Sequence, residues 1–529
     1  MSGLVVLNLS FVAHDPKADL CTAIHGSAPS FLNGLHRGKK MFVFLTGKDN
    51  TMQRTRRSFV KSAGASLLVS GAPQALWEQR AAAEPLDDLP KLDGEVLFGE
   101  AARGVAGRDI GSGIRRLPIA VLRPRSVDDI IRMTAYANKN GRKIAMRGQG
   151  HSLYGQAQAE GGIVVDSSTL NAVRPYKDDL LDVEPGALWG EVAKAAISQR
   201  RTLPVMVDAL MLSVGGTLSV GGIGETSYRE GCQVDHVSEL DVVTATGDRV
   251  TCSPERNDEL FHMTLAGLGQ CGVIVGTRLR LVRAPEYVVL RTLNYPDLQS
   301  LVSDQRRIAT AESLGPLTSR IVKEPTGAVR FQLVAGTFLA DGAEASSPGW
   351  MTGLQHVSEA SPVRLSYWGY LDRRTVVQLA SIAAVKSGTK NPSLAFMLPE
   401  ASVVPFVTHV LANPEAFVGI WLIEVFPMIT ARFTQPLQKM PDAELTFGVR
   451  LHRRTSADNM HDPQAMLASN EALVAQLLAT GGKVYPPYAP VLSQQQWRQH
   501  FGPETWQRFA AAKKRFDPNN VLAPGAGIF

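Results

Sequence analysis

A chain of 529 residues with 44% hydrophobic and 20% charged residues can bury more than one core, and its texture excludes a collagenous, low-complexity or repeat protein. The formal net charge of +6 invites a nucleic-acid reading, but the first 80 residues hold ten Lys or Arg against four Asp or Glu and the remainder holds 45 of each, so there is no footprint for a polyanion and no nucleic-acid partner is expected. Of four cysteines Cys21 falls in the basic first 80 residues, and Cys232, Cys252 and Cys271 have no metal-ligand spacing and an odd count; no metal site is expected, and at least one buried free thiol is.

In chain order the first feature is "TRRSFVKSAGASLLVSGAPQAL", Thr55 to Leu76, followed by small residues in "RAAAEP". Paired Arg56 and Arg57 before Phe59, Lys61 and a weakly apolar run resemble a twin-arginine export signal. The alternative is a basic amphipathic helix. The run is too short and too rich in Gly and Ser to span a bilayer, so no integral membrane segment is expected in the mature chain. Residues 1–83 are read as leader, with translation starting at Met52 or Met41. The resemblance implies the twin-arginine export machinery as a partner and a periplasmic or secreted destination.

From about Leu117 to Val282 strand and helix signals alternate. "RLPIAVLRP" is a short strand ended by Pro124. "SVDDIIRMTAYANKNG" is a helix: Ser126 caps it, Asp128 and Asp129 occupy the first turn, Ile130, Ile131, Met133, Thr134 and Ala137 form one face, and Gly141 ends it. "RKIAMR" is a strand that runs into "GQGHS". "GGIVVD" and "LLDVEPG" are strands and "ALWGEVAKAAISQ" a helix. "ELDVVTATGDRVTC" is a hairpin, "ERNDELFHMTLAG" a helix and "GVIVGTRLRLVR" a long strand.

The glycine spacing argues against a nicotinamide-type dinucleotide fold, because Gly148, Gly150 and Gly155 lead into another strand and not into a helix. His151 follows glycines that let the backbone turn tightly. In that place it can be a base, a metal ligand or a point of attachment, or simply a histidine in a surface loop.

From about Ala284 to Thr480 the texture changes. "RFQLVAGTF", "SLAFMLP" and "GIWLIEVFPM" read as strands and "ADNMHDPQAMLASNEALVAQLLAT" as helical, which makes a second α+β domain that shapes a pocket. The tail "FGPETWQRFAAAKKRFDPNNVLAPGAGIF" is an amphipathic helix with Trp506, Phe509 and Phe516 on one face, stopped at Asp-Pro and docked on the body.

Three stretches carry a family resemblance: "RGQGHSLYGQAQAEGGIVVD", "DALMLSVGGTLSVGGIGETSYREGCQVDHVSELDVVTATGDRVTCS" and "NDELFHMTLAGLGQCGVIVGTRLRL". They are similar to flavoproteins of the vanillyl-alcohol oxidase type, with a PCMH-type FAD-binding domain, and within these to cytokinin dehydrogenases; the C-terminal tail resembles the same family. The resemblance implies an α+β, two-domain fold with FAD-binding residues 112–286, a substrate-binding domain 287–484 over the flavin, and a segment 485–529 returning to the FAD domain. It implies FAD joined covalently through His151. A second covalent link, made by a cysteine in some relatives, is not expected, because that stretch here reads "LMLSVGGTLS".

Carried over residue by residue, the flavin contacts are Met146, Gly148, Gln149, Gly150, Ser152 and Gln156; Asp208, Ser213, Ser219 and Ile223 in a second loop; Ile274; and Tyr485. Asp208, which by itself reads as a turn residue, matches the aspartate that accepts the substrate amine proton as the neighbouring carbon gives hydride to the flavin. The implied function is oxidation of a small-molecule CH–NH substrate, with oxygen or a quinone as electron acceptor. The departures lie in the pocket. Met206-Val207 and Ala209 flank Asp208 where relatives have Trp-Thr and Tyr. Pro392-Ser393-Leu394 lacks the relatives' aromatic, and Ala523-Pro524-Gly525-Ala526 stands where close relatives have Ser-Pro-Gly-Gln. Two other readings stay open: an oxidase of a sugar, aldonolactone or alcohol CH–OH group, and an exported flavin- or ligand-binding protein without turnover.

Overall fold

Helix Val127–Lys139 carries the chain from strand Ala120–Arg123 to the parallel-sheet strand Ile144–Arg147, and its start is fixed by a buried carboxylate. Asp129 accepts the backbone N–H groups of Asp93, Gly94, Arg125 and Ser126, so it anchors the incoming chain as well as the helix start. Of the apolar face read from the sequence, Ile130, Met133, Thr134 and Ala137 are buried and Ile131 is half-buried. The chain turns out of the helix at Gly141, whose φ of +60° suits a residue without Cβ. The computed structural model describes residues 86–311, 314–340, 348–455 and 462–529. The leader with Arg56–Arg57, and the stretch just before Asp462, lie outside the described residues.

Residues 95–283 build two small sheets and a two-stranded ribbon that pairs Arg201–Thr202 with Val282–Arg283. In the first, Glu95–Leu97, Ala120–Arg123, Ile163–Asp166 and Ile144–Arg147 are neighbours in that order, and the last three are parallel. In the second, Val173–Tyr176, Leu180–Val183, Val273–Arg280, Val237–Val243 and Arg249–Cys252 are antiparallel. The hairpin read around Thr246–Asp248 is the one that joins the last two strands.

Residues 287–484 build a nine-stranded antiparallel sheet whose centre runs Tyr287–Tyr295, Val329–Leu339, Leu317–Lys323, Ile420–Ile429, Leu445–Arg453 and Leu394–Pro399. One apolar core runs from the five-stranded sheet, through Trp189 and Tyr228, to Phe396 and Phe447 of the large sheet. Polar ties cross it as well: the Tyr228 hydroxyl donates to the Leu314 carbonyl at 3.0 Å, and the Thr202 and Tyr367 hydroxyls meet at 2.8 Å.

The tail contains two helices, Gln494–Phe501 and Pro503–Phe516, broken at Gly502 with φ +76°. Phe509 is fully buried and packs on Phe529. Past the Asp-Pro stop, Asp517 accepts the amides of Val521 and Leu522 at 2.8 Å and pairs with buried Lys513. Leu522 then pairs in parallel with Ile144 and covers the open edge of the first sheet. Cys232, Cys252 and Cys271 are all free and buried, and burial pushes each thiol up.

Candidate active site

The cavity at the junction of these sheets is lined by every site residue read from the sequence: Met146, Gly148, Gln149, Gly150, His151, Ser152 and Gln156 from the first glycine loop, Asp208, Ser213, Ser219 and Ile223 from the second, Ile274 from the sheet and Tyr485 from the returning segment. Strand Ile144–Arg147 ends at its rim, and two glycines shape the loop that follows. A Cβ on Gly148 would stand 1.9 Å from the Ser213 hydroxyl, so the two loops touch only because that atom is missing. Gly150 has φ +66° and lies against the Arg147 guanidinium.

The loop is poor in internal partners. Among the described residues, the amides of Gln149, Gly150, His151 and Ser152 donate to no protein acceptor, and the buried Ser152 hydroxyl has none either. Buried polar groups are ordinarily satisfied, and successive free amides in a turn make a concavity for an anion. The loop therefore fits the diphosphate of FAD. Other polar groups here are already committed. Ser219 donates to the Gly215 carbonyl at 2.7 Å, and Gln156 bonds the Pro486 and Ala489 carbonyls at 3.2 Å, tying the loop to the segment that carries Tyr485. His151 is half-buried, and burial, with the Arg147 charge beside it, pushes its pKa down to about 4. At neutral pH it is a neutral imidazole with a nitrogen lone pair free to react.

On the second loop Asp208 belongs to a buried charge network. Arg374 spans three carboxylates: its Nη1 lies 3.1 Å from Asp208 Oδ2 and 3.5 Å from Glu424 Oε1, and its Nη2 lies 2.8 Å from Glu225 Oε1. Glu225 Oε2 also takes Arg373 and the Tyr370 hydroxyl. Glu424 Oε2 takes Arg450 at 3.1 Å and His452 at 2.8 Å, from the strand paired opposite. The amide of Gln378 holds the Asp208 carbonyl at 2.6 Å.

Asp208 Oδ1 accepts no hydrogen bond among the described residues, and the side chain keeps 24% exposure toward the cavity. Burial raises its pKa, and Arg374 works against that. Burial also opposes the charges on Glu225 and Glu424, but the arginines outweigh it at Glu225, and His452, Arg450 and Arg374 do so at Glu424; both carboxyls sit below their ordinary range. Sequence reasoning missed Glu225, Arg373, Arg374, Glu424, Arg450 and His452. Ser393, where the sequence shows a lost aromatic wall, is structural: its Oγ bonds Asn391 Oδ1 and accepts the Arg453 amide. The aromatic wall of the cavity comes from Tyr485 and Tyr488, stacked with centroids 6.0 Å apart.

The fold and this cavity are those of a PCMH-type FAD-binding oxidoreductase. A family model described as an FAD binding domain matches residues 118–253, and one described as "Cytokinin dehydrogenase 1, FAD and cytokinin binding" matches residues 347–529. An uncharacterized oxidoreductase in the fasciation locus of Rhodococcoides fascians is 33% identical over 79% of this chain and 95% of its own length. Cytokinin dehydrogenase 9 of Oryza sativa subsp. japonica is 30% identical over 84% of this chain and 93% of its own. The structure of 6-hydroxy-D-nicotine oxidase from Arthrobacter nicotinovorans matches with a TM-score of 0.63 at 20% identity, covering 83% of this chain and 97% of that one, a likeness of fold alone. The chain belongs to the cytokinin dehydrogenase family of FAD-dependent oxidoreductases.

Proposed function

We propose that this enzyme oxidises a CH–NH bond of a small amine of the cytokinin type, with FAD held covalently through His151. The observation that carries this reading is Asp208: one carboxylate oxygen is fixed by Arg374 and the other is open to the cavity that the glycine loops line. FAD supplies a two-electron acceptor for hydride. As the C–H bond breaks, positive charge builds on the neighbouring nitrogen. Asp208 takes the N–H proton, so that a neutral imine forms and no cation is left in the cavity. Water then splits the imine to an aldehyde and an amine, and oxygen or a quinone removes the electrons. Gln149, Gly150, His151 and Ser152 would hold the diphosphate by their amides, with Gly148 and Ser213 in contact beside them, and Ile274 and Tyr485 wall the cavity. An anaerobic panel tests the reaction: amines should bleach the flavin, whereas bleaching by sugars, lactones or alcohols alone overturns the CH–NH assignment.

Two expectations accompany this reading. Acid-precipitated wild-type protein should keep its yellow colour in the pellet, and His151→Ala should release it to the supernatant; wild-type colour in the supernatant contradicts a covalent link. Export is inferred from Arg56–Arg57 and from the charge gathered in the leader. Lysines at both positions should leave the protein in the cytoplasm, and undiminished export in a strain lacking the twin-arginine pathway contradicts it.

A further inference from the structure

The charges around Asp208 do not pair off. Asp208, Glu225 and Glu424 are met by Arg373, Arg374 and Arg450. A fourth guanidinium, that of Arg320, makes no ion pair or hydrogen bond among the described residues, although it feels the charges of Arg374, Glu424, Glu225 and Arg373. Its place is fixed by register. Ile321 stands opposite Ile423, and Ser319 bonds both the carbonyl and the amide of Val425, so Arg320 lies opposite Glu424. Glu424 in turn lies opposite Arg450. Arg320, Glu424 and Arg450 thus form one row across the sheet, on one face, and Arg450 lines the cavity.

Glu424 is already met by Arg374 at Oε1 and by Arg450 and His452 at Oε2, and makes no ion pair with Arg320 among the described residues. Arginines with a structural role in this sheet look different: Arg453, fully buried, bonds the carbonyls of Ala416 and Val418 and the Ser469 hydroxyl. Arg320 is exposed and uncommitted. Four guanidiniums against three carboxylates leave the cluster net positive, and two of its members, Asp208 and Arg450, line the cavity where the ligand must react. An uncharged amine leaves that charge unmet, and a protonated amine adds to it.

We infer that Arg320 is a specificity-determining residue that binds an acidic group, a carboxylate or a phosphate, on the substrate oxidised beside Asp208. The inference rests on the proposed reaction at Asp208 but is tested apart from it, by equilibrium binding without turnover. Benzoate, phenyl phosphate and uncharged benzamide are titrated into the FAD-loaded enzyme, and perturbation of the flavin absorption is read. At least one anion should bind about 10- to 100-fold tighter than benzamide, the range of a charge-assisted hydrogen bond. Which anion prevails distinguishes carboxylate from phosphate. Arg320→Gln should remove that preference and Arg320→Lys should keep part of it. The flavin spectrum and melting temperature of both variants report intact folding. Equal binding of all three probes, no saturable anion binding, or a preference that survives Arg320→Gln overturns the inference. An amine panel that fails to bleach the flavin overturns the reaction instead and leaves the anion preference measurable.

Discussion

Asp208→Asn should slow flavin reduction about 10²–10⁴-fold, the usual share of a general base, with flavin content unchanged. Asn keeps the size and the contact geometry but cannot take a proton. The backbone at this position is held by Gln378 through the carbonyl, which the substitution does not touch. The proposed flavin attachment is through His151, which the substitution does not touch. The wild-type rate should fall on the acid side at a pH above the ordinary aspartate range, because burial raises the Asp208 carboxyl and only the deprotonated form is a base. Reduction at the wild-type rate in Asp208→Asn makes Asp208 a turn residue. Loss of the flavin makes it a structural one.

Arg374→Gln should have the largest effect on folding. Arg374 faces three carboxylates, and Glu225 and Glu424 are almost wholly buried, so removing the cation leaves charges uncompensated at a cost of about 3–5 kcal/mol. Glu225 and Glu424 have folded pKa values below their unfolded ones. Their stabilisation is therefore present above the unfolded values and lost as pH falls through the folded ones. The drop in melting temperature should be greatest at neutral pH and shrink in acid. In flavin reduction the acid limb should move further up, because Arg374 is the main group favouring ionised Asp208. That shift marks Arg374 as a positioning residue; an unmoved limb would reduce its role to stability.

The first half of the fold was legible because its elements are local and well punctuated. Asp129 in the first turn anchors a helix start, although the Ser126 hydroxyl expected to cap it has no partner among the described residues, Gly141 stops the helix, and Gly247 at φ +88° turns a hairpin. The residues that line the cavity were legible for another reason: they lie in a few continuous strings, so a resemblance carried them together. The charge network had no such string. Its members come from the second glycine loop, a helix junction at Arg373–Arg374, and two strands of the large sheet. A signal existed in part. Glu424 is a lone acid in "GIWLIEVFPM", and Arg450 and His452 alternate in "LTFGVRLHR", so each strand puts charge on a face that should be apolar. Arg374, in "DRRTVV", looks like any solvated pair of arginines, and only the approach of residues 208, 225 and 424 gives it a role. The tail also exceeded its reading, because the helix Gln494–Phe501 was hidden before the break at Gly502.

The measurement closest to the central claim is an anaerobic single turnover with an N-alkyl amine carrying deuterium on the carbon next to nitrogen. The account predicts that the amine bleaches the flavin, that deuterium slows bleaching several-fold, and that each flavin yields one aldehyde from the hydrolysed imine. Full bleaching with no isotope effect and no aldehyde, or an unbleached flavin with every amine while an alcohol bleaches it, would contradict hydride transfer from a CH–NH bond beside Asp208.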